Sequence, residues 1–571
     1  MPDFAVNSLE YPLRDRRESL KKIIAFDRLP HQLDLNRILF WGLIALHLIP
    51  IFIFKYFPSQ DGPSHLYNAS ILRHYFFPEG EIFRAHFKLI PGSLVDWLIQ
   101  PFMAILMFVF PPLITEKIVL ILYVILLPVS FRYVVRSIRP ESEFLSVLIF
   151  PFINSYFFYM GFYNFLYGII AFLFFLGYWI NSTAKPSLTF RNAFTLTGFF
   201  LLTYFFHPVA WAMSALVIGV LCIGLCLSEM ANAEKDDSKN IPENNSLLKN
   251  AIEKGVTTFL ALLPSFFILL ELSLKKKVQA IVNTRPDMPP PSLLWNEILH
   301  FDALTSFRSE EALFSYAYVN LAFGIFLYLL ITKLKRRDFN LWDMFFLSTV
   351  VCITLYFSVP DISPPIFLWP RVMLYTFLIL LLWFAGQKFH EWVKLFIQMA
   401  GLVITLALFS IHLGPYALLN NYLKEYVAVM QQIPANTTVV PLPFWSQPFT
   451  DKEIASMRID PFLHASDYIG ALKPVANLED FEAAESDIWP VQFRFPAAAK
   501  ALYWKMINER SMLPPHLVAY TQKSSQPIDY LIAWKPDPRY KVWEQDYALI
   551  YQSPGKAKTQ LYSLKKQQSA K

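Results

Sequence analysis

Apolar residues come in long, nearly unbroken runs between residues 37 and 413, with little of the polar spacing of surface helices or half-buried strands. Each run is close to the roughly 20 residues that a helix needs to cross the hydrocarbon core of a bilayer. The ambiguous run 94–110 is either a further span or a helix at the membrane surface. The other runs predict eleven spans, at 37–57, 113–131, 144–160, 162–180, 194–207, 209–228, 256–274, 313–332, 341–359, 372–387 and 394–413.

The composition supports a membrane protein. Of the 571 residues, 55% are hydrophobic and 16% are charged, whereas soluble proteins carry about 25% charged residues. The formal net charge is +6 and the mean hydropathy is +0.37. Because the charges flank apolar runs instead of forming a basic domain, we expect membrane lipids and no nucleic acid among the partners.

Basic residues give the expected orientation, since cytoplasmic loops carry an excess of Lys and Arg. The N-terminal tail, residues 1–36, is rich in both. If 94–110 does not cross, Arg132, Arg136 and the basic cluster 333–337 lie on the same side as this tail. We therefore place 94–110 at the outer surface and the tail in the cytoplasm. We expect an integral protein of the cell (inner) membrane, with the C-terminal region extracytoplasmic.

The chain becomes more polar after about residue 415. The pattern predicts a helix at 494–509, a hairpin turn at 553–556, and strands at 437–444, 528–534, 547–552 and 558–564. The predicted fold is therefore an all-α polytopic membrane domain of about 11 transmembrane helices (37–414, with an outer loop at 58–112), followed by a small α/β domain (415–571).

The first outer loop contains the most unusual stretch, Gln60-Asp61-Gly62-Pro63-Ser64-His65. Gly62 and Pro63 predict a turn, and Ser64 is a candidate cap for a helix over 64–77 that is suited to the membrane interface. Asp61 would then be held at the mouth of a membrane cavity, where a carboxylate can act as a general base. The alternative is that Asp61 only starts the turn or caps the helix.

With this layout the sequence resembles the GT-C superfamily of membrane glycosyltransferases. In that superfamily the first span is followed by a long outer loop with an acidic residue at its start, and many members end in an outer soluble domain. The resemblance implies sugar transfer from a polyprenyl-phosphate carrier, with Asp61 in the acidic position. Many relatives have Asp-Glu there, but here Gly62 follows Asp61, so neither a second acid nor a metal is implied.

Several basic residues are candidates for substrate binding. The stretch from Pro370 to Tyr375 loosely resembles the superfamily's phosphate-binding Arg motif, which makes Arg371 a candidate for the carrier phosphate. Its alternative is an Arg that bounds a span. The other candidates, each with a purely structural alternative, are Lys275, Lys276, Lys277, His207 and His65.

The leading hypothesis is a glycosyltransferase with a polyprenyl-phosphate-linked sugar as donor and a glycan, lipid or protein as acceptor. A transporter or flippase is the main alternative, although the spans are nearly free of charge and no internal repeat is visible. A lipid-linked glycan polymerase or ligase and a non-catalytic scaffold also stay open. No cofactor is expected: a divalent metal is compatible with the outer loop, but its spacing does not indicate one.

Overall fold

The computed structural model describes residues 35–565 apart from 91–94, 186, 238–243, 275–288, 360–367, 444–457, 486–488, 496–498, 500–519, 535–541 and 556–557. The tail 1–34, the lysines at 275–277 and most of the helix predicted at 494–509 lie outside the described residues. The described helices are α1 (Leu35–Ile53), α2 (Gly62–His74), α3 (Glu81–His86), α4 (Ile99–Leu106), α5 (Pro112–Ile138), α6 (Tyr156–Met160), α7 (Tyr163–Thr183), α8 (Phe190–Phe206), α9 (Pro208–Asp237), α10 (Asn244–Ser273), α11 (Pro291–His300), α12 (Glu311–Arg336), α13 (Asp343–Ser358), α14 (Leu368–Ala385), α15 (Glu391–Ala428), α16 (Asp467–Leu472) and α17 (Phe481–Glu485).

All eleven predicted spans are helical, and nine helical segments among the described residues are long and apolar enough to cross a membrane. The other two are α8 and α13, of 17 and 16 residues. The run 94–110 forms only α4, of eight residues. At 1.5 Å per residue, α4 is too short to span, which confirms that 94–110 does not cross.

The third span departs from a regular α-helix. A 3-10 helix at Pro140–Phe152 leads into α6, and this segment is the most enclosed of the nine. Runs of 3-10 helix longer than about four residues are uncommon. Its buried position between α5 and α15 supplies the packing that supports this geometry.

The two ends of the helix bundle differ. One end, called the domain side, contacts the C-terminal domain: Tyr468 of that domain donates to Glu116, near the start of α5. The opposite end, called the far side, holds Arg132 and Arg136 at the end of α5, and Lys333 at the end of α12. Both basic groups therefore lie away from the domain, as the sequence predicted.

The C-terminal domain contains a five-stranded sheet. Its strands are β2 (Thr438–Pro443), β3 (Ala476–Asn477), β5 (Tyr530–Trp534), β6 (Tyr547–Gln552) and β7 (Thr559–Leu564). Their order in the sheet is β3-β2-β5-β7-β6. Parallel pairing joins β3, β2 and β5, and antiparallel pairing joins β5, β7 and β6. The four predicted strands and the hairpin are confirmed.

The first outer loop is part of this domain, not a separate surface layer. A second, two-stranded sheet pairs β1 (Phe87–Leu89) of the loop with β4 (Val491–Phe493) of the domain. Residues 62–71 of α2 are buried within the protein, so the rest of the fold covers most of this helix; its position at the membrane interface stays a prediction. The hydroxyl of Tyr67 in α2 donates to the Val475 carbonyl at 3.1 Å and accepts from the Asn477 N–H at 2.9 Å.

The last span also enters the domain. Helix α15 has 38 residues, about 57 Å, and so continues past the expected boundary at 414/415. Its Asn420 side chain accepts from the backbone N–H groups of Lys55 and Tyr56, both at 3.0 Å, just after α1. The first and last spans are therefore joined where the chain enters the first outer loop.

Candidate functional site

The backbone of Asp61 is fixed by the turn before α7. The Asp61 N–H donates to the Met160 carbonyl at 2.9 Å, and the Gln60 N–H donates to the Tyr159 carbonyl at 2.9 Å. Gly161 makes this close approach feasible because its φ is +83° and a Cβ there would collide with the backbone nitrogen of Gly62. A span 100 residues later in the chain therefore sets the position of Asp61.

Gly62 explains why a second acid does not follow Asp61. A Cβ at this position would collide with the hydroxyl oxygens of Ser59 and Tyr163. A glutamate at position 62 would therefore need both side chains to move, so the packing favours glycine over a second acid at this position.

The carboxylate of Asp61 is not a helix cap, although Asp61 occupies the cap position of α2. Its carbonyl oxygen accepts from the N–H groups of Ser64 and His65. Ser64 is no cap either, because it lies within the first turn and donates its hydroxyl to Asp467 at 2.5 Å. The Asp61 carboxylate is thus held by tertiary contacts instead of helix capping.

Those contacts set the electrostatics of Asp61. The carboxylate accepts from Gln60 Nε2 at 3.2 Å and lies 3.7 Å from His464 Nε2. Burial raises the pKa of Asp61, and the imidazoles of His464 and His65 oppose this rise. A carboxyl whose pKa is moved toward neutrality accepts a proton more readily, as a general base must.

His464 belongs to the C-terminal domain and connects Asp61 to further acids. Its Nδ1 lies 2.7 Å from Glu479 Oε1. Asp467 completes this group: one potential ligand atom from each of the three residues lies within 4.8 Å of the others, and all three residues are buried. This cluster was not predicted from sequence, and only the three-residue spacing of His464 and Asp467 hints at it.

His65, a predicted binding residue, contacts a second acid of the domain. Its Nδ1 lies 2.6 Å from Glu482 Oε1, and Gln100 in α4 donates to the same carboxylate at 3.3 Å. Burial alone lowers the pKa of His65, but the carboxylates of Glu482, Asp61 and Asp96 more than reverse this effect and raise it to about 8. His65 is therefore an imidazolium at neutral pH and partly balances the acids around Asp61.

The structure brings two other predicted residues, Arg371 and His207, into contact. A guanidinium nitrogen of Arg371 lies 2.7 Å from His207 Nε2. The guanidinium carbon lies 4.8 Å from the ring centre of Phe162 and 5.0 Å from that of Phe165. Arg371 also interacts electrostatically with Asp96, whose pKa burial raises to about 7 against the opposing effect of Arg371. Rings, imidazole and carboxylate together fix the guanidinium at the domain end of α14.

Tyr156 is near enough to both groups to interact electrostatically with Asp61 and with Arg371. A further cation, Arg458 of the C-terminal domain, lies with its guanidinium carbon 4.1 Å from the Tyr156 ring centre. Arg458 also donates to Thr305 Oγ1 at 3.2 Å. Sequence analysis missed Arg458, since an isolated arginine in a soluble domain carries no distinguishing signal.

No protein-family model and no curated protein matches this chain. Among solved structures it is similar to the archaeal oligosaccharyltransferase AglB from Archaeoglobus fulgidus in complex with an inhibitory peptide and a dolichol-phosphate. The identity is 11% and the TM-score 0.43, over 88% of this chain and 70% of that chain. It is also similar to the apo form of the Archaeoglobus fulgidus oligosaccharyltransferase, with 10% identity and a TM-score of 0.43. That match covers 93% of this chain and 75% of the other chain. The likeness is one of overall layout and assigns no residue and no activity to this chain.

Proposed function

We propose that this protein is a membrane glycosyltransferase that moves a sugar from a polyprenyl-phosphate carrier to a hydroxyl group of an acceptor on the outer face of the membrane. One observation carries the proposal. The Asp61 carboxylate is buried without a capping role, at the same end of the bundle as the Arg371 guanidinium, and Tyr156 interacts with both. A transferase of this kind needs a base and an anion-binding group on one side of the membrane.

The orientation follows from the basic residues. Lys333, Lys335 and Arg336 end α12 on the far side, where Arg132 and Arg136 also lie. An excess of Lys and Arg marks the cytoplasmic side. We therefore place the domain side, with Asp61, outside the cytoplasm.

In the proposed reaction the acceptor oxygen attacks the anomeric carbon of the donor sugar. The proton of the acceptor hydroxyl goes to the Asp61 carboxylate. The bond between the anomeric carbon and the phosphate oxygen breaks, and its electron pair leaves with the carrier phosphate. Because negative charge grows on that phosphate in the transition state, a fixed cation beside it lowers the barrier.

Arg371 is the proposed cation for the carrier phosphate, with His207 as the residue that positions it. The planar guanidinium can bind two phosphate oxygens at once, and its aromatic neighbours Phe162 and Phe165 hold its plane. Arg458 is a second candidate because it reaches Tyr156 from the domain. The lysines 275–277 stay predicted phosphate contacts.

An apolar groove between α5, α7 and α8 suits the isoprenoid tail of the carrier. Its volume is about 470 Å³, and ten residues line it: Leu126, Tyr133, Tyr167, Ile170, Ala171, Phe174, Tyr178, Phe199, Leu202 and Phe206. At the domain end of the groove, Phe206 directly precedes His207, which contacts Arg371. A tail in this groove would thus end close to the proposed phosphate site.

The test is turnover by the purified full-length protein in liposomes. Radiolabelled polyprenyl-phosphate sugars are offered with a panel of peptide, glycan and lipid acceptors, and release of the carrier is followed. We expect turnover in the wild type and a fall of about 10²–10⁴-fold in Asp61→Asn, the usual contribution of a general base. The amide keeps the shape of the side chain but cannot accept the proton.

Asp343→Asn is the matched control. Asp343 is a far-side aspartate that accepts from Trp383 at 2.9 Å and pairs with Lys333 at 3.0 Å. This variant should retain turnover. Equal turnover in folded Asp61→Asn and wild type would remove Asp61 from the mechanism. If the wild type instead moved labelled carrier across the bilayer without breaking the sugar–phosphate bond, the flippase alternative would replace this proposal.

A further inference from the structure

The group formed by His464, Asp467 and Glu479 carries more negative charge than its own contacts balance. Two carboxylates share one imidazole. Asp61 approaches the same imidazole at 3.7 Å, and Asp480 interacts electrostatically with Asp467. Burying several carboxylates together is unfavourable unless protons or a cation neutralise them.

An oxygen of Glu479 provides independent evidence for a ligand. Glu479 is only 2% exposed, and its Oε2 accepts no hydrogen bond, while Oε1 of the same carboxylate faces His464. The neutral Ser466 hydroxyl accepts from Asn477 at 2.8 Å and also interacts with the Glu479 carboxylate, but it does not balance the carboxylate charge. A buried carboxylate oxygen without a partner is rare in native proteins, and an ion is one of its ordinary explanations.

The other ligand atoms have capacity for a cation. Asp467 accepts one hydrogen bond on each oxygen, from Asn477 Nδ2 at 2.6 Å and from Ser64 at 2.5 Å. Each carboxylate oxygen has two lone pairs, so one stays available on both atoms. Nitrogen and oxygen ligands about 2.1 Å from a metal lie about 3.0–3.4 Å apart. On metal binding the 2.7 Å separation of His464 Nδ1 and Glu479 Oε1 would widen by a few tenths of an ångström, and the longer separations in the group, none above 4.8 Å, would shorten.

We propose that His464, Asp467 and Glu479 bind one divalent transition-metal cation, Mn²⁺ or Zn²⁺. One imidazole nitrogen with two carboxylates suits these ions better than Mg²⁺ or Ca²⁺, which prefer oxygen ligands alone. A cation on Nδ1 also fixes the ring so that Nε2 carries the hydrogen and directs it at Asp61. The cation would thereby join α16, the segment after β3 and the first outer loop. The site adjoins Asp61, but the metal proposal and its test do not depend on the proposed sugar transfer.

The experiment measures metal content and thermal stability, not activity. Full-length protein in detergent, with any affinity tag removed, is stripped with EDTA, transferred to chelator-free buffer, loaded with Mn²⁺ or Zn²⁺ and desalted. We expect about one equivalent of metal per wild-type chain and a higher Tm than in the stripped protein, since a ligand that binds only the folded state stabilises it. In Glu479→Gln the Kd for the metal should rise at least about tenfold, and the metal-dependent rise in Tm should disappear.

Glu482→Gln is the matched control, because Glu482 also pairs with a buried histidine, His65, but is not one of the three proposed ligands. It should bind metal as the wild type does. Asp467→Asn provides a second ligand variant in case Glu479→Gln does not fold. Folded wild type that retains neither Mn²⁺ nor Zn²⁺, or that retains the same amount as a folded ligand variant, would overturn the proposal and leave an ion pair of His464 and Glu479.

Discussion

The far side and the domain side of the bundle both hold charged residues that are buried or half-buried, but the two sides balance these charges differently. On the far side each pair is local and complete: Arg132 pairs with Glu143, and Lys333 pairs with Asp343 at 3.0 Å. On the domain side five buried carboxylates, Asp61, Asp467, Glu479, Asp480 and Glu482, surround two buried imidazoles, His65 and His464.

The difference indicates what each set of charges does. The far-side ion pairs join residues about ten positions apart, so they form when neighbouring segments pack, and the two charges of each pair neutralise each other. The domain-side contacts join residues about 400 positions apart, such as Ser64 with Asp467, and leave an excess of acid. A buried excess of like charge is costly, so it is expected where ligands, protons or metals supply the balance.

After Asp61→Asn, we expect the largest difference in activity between a domain-side variant and a far-side variant when an arginine is replaced on each side. Arg371→Gln should lower kcat/KM for sugar transfer about 10²–10³-fold, because the developing phosphate charge loses its cation. Arg132→Gln, on the far side, should leave kcat/KM within a few-fold of the wild type. Steady-state kinetics with one donor measure both, and equal losses would mean that Arg371 acts only in folding.

Gly161→Ala should displace Asp61 although it replaces no charged residue. The alanine Cβ would require a left-handed backbone, which costs about 1–2 kcal/mol, and would collide with Gly62. A displacement of about 1 Å at a reacting group can cost about 10²-fold in rate. We expect this loss in kcat with a modest fall in Tm. Gly198→Ala, which has open space around its Cβ on α8, is the control and should change neither.

The domain side should lose stability as the pH rises, through His65. Its pKa rises from 6.5 to about 8 in the folded protein, so its contribution is complete below pH 6.5 and disappears as the pH passes about 8. A shift of this size corresponds to about 2 kcal/mol. Three carboxyl groups, Glu482, Asp61 and Asp96, cause it. The Tm should therefore fall between pH 6.5 and pH 9, and Glu482→Gln should reduce this fall; an unchanged fall would contradict the assignment.

The smallest expected effect concerns the lipid tail. Leu202→Trp should partly fill the apolar groove and raise KM a few-fold for a long-chain donor, while a short-chain donor is unaffected. Leu327→Trp on α12 is the matched control, because Leu327 is 38% exposed and Leu202 is 37% exposed. If both tryptophans change KM alike, the groove between α5, α7 and α8 is not the tail site.

The sequence by itself determined the membrane helices and the strands β2, β5, β6 and β7 of the C-terminal domain, because both follow from local physics. An apolar run of about 20 residues has to satisfy its backbone as a helix in lipid, and Ser553–Gly555 between two apolar runs marks a hairpin. The apolar run left 94–110 ambiguous, and the distribution of basic residues correctly predicted that it does not cross the membrane. Asp61 and Arg371 were singled out by their motifs and by the resemblance to GT-C enzymes, and His65 and His207 by their places in the outer loop and turn; the roles of all four stay predictions.

Only the tertiary structure decided how these residues are grouped. No local pattern shows that α2 lies under the C-terminal domain, that Gly161 positions Asp61, or that His464 contacts Asp61 while Glu482 contacts His65. These contacts form when packing of apolar surface brings α2 against α16 and pairs β1 with β4. Burial then changes the charge balance of the carboxyl groups, and burial is a property of the folded chain that residue spacing does not contain.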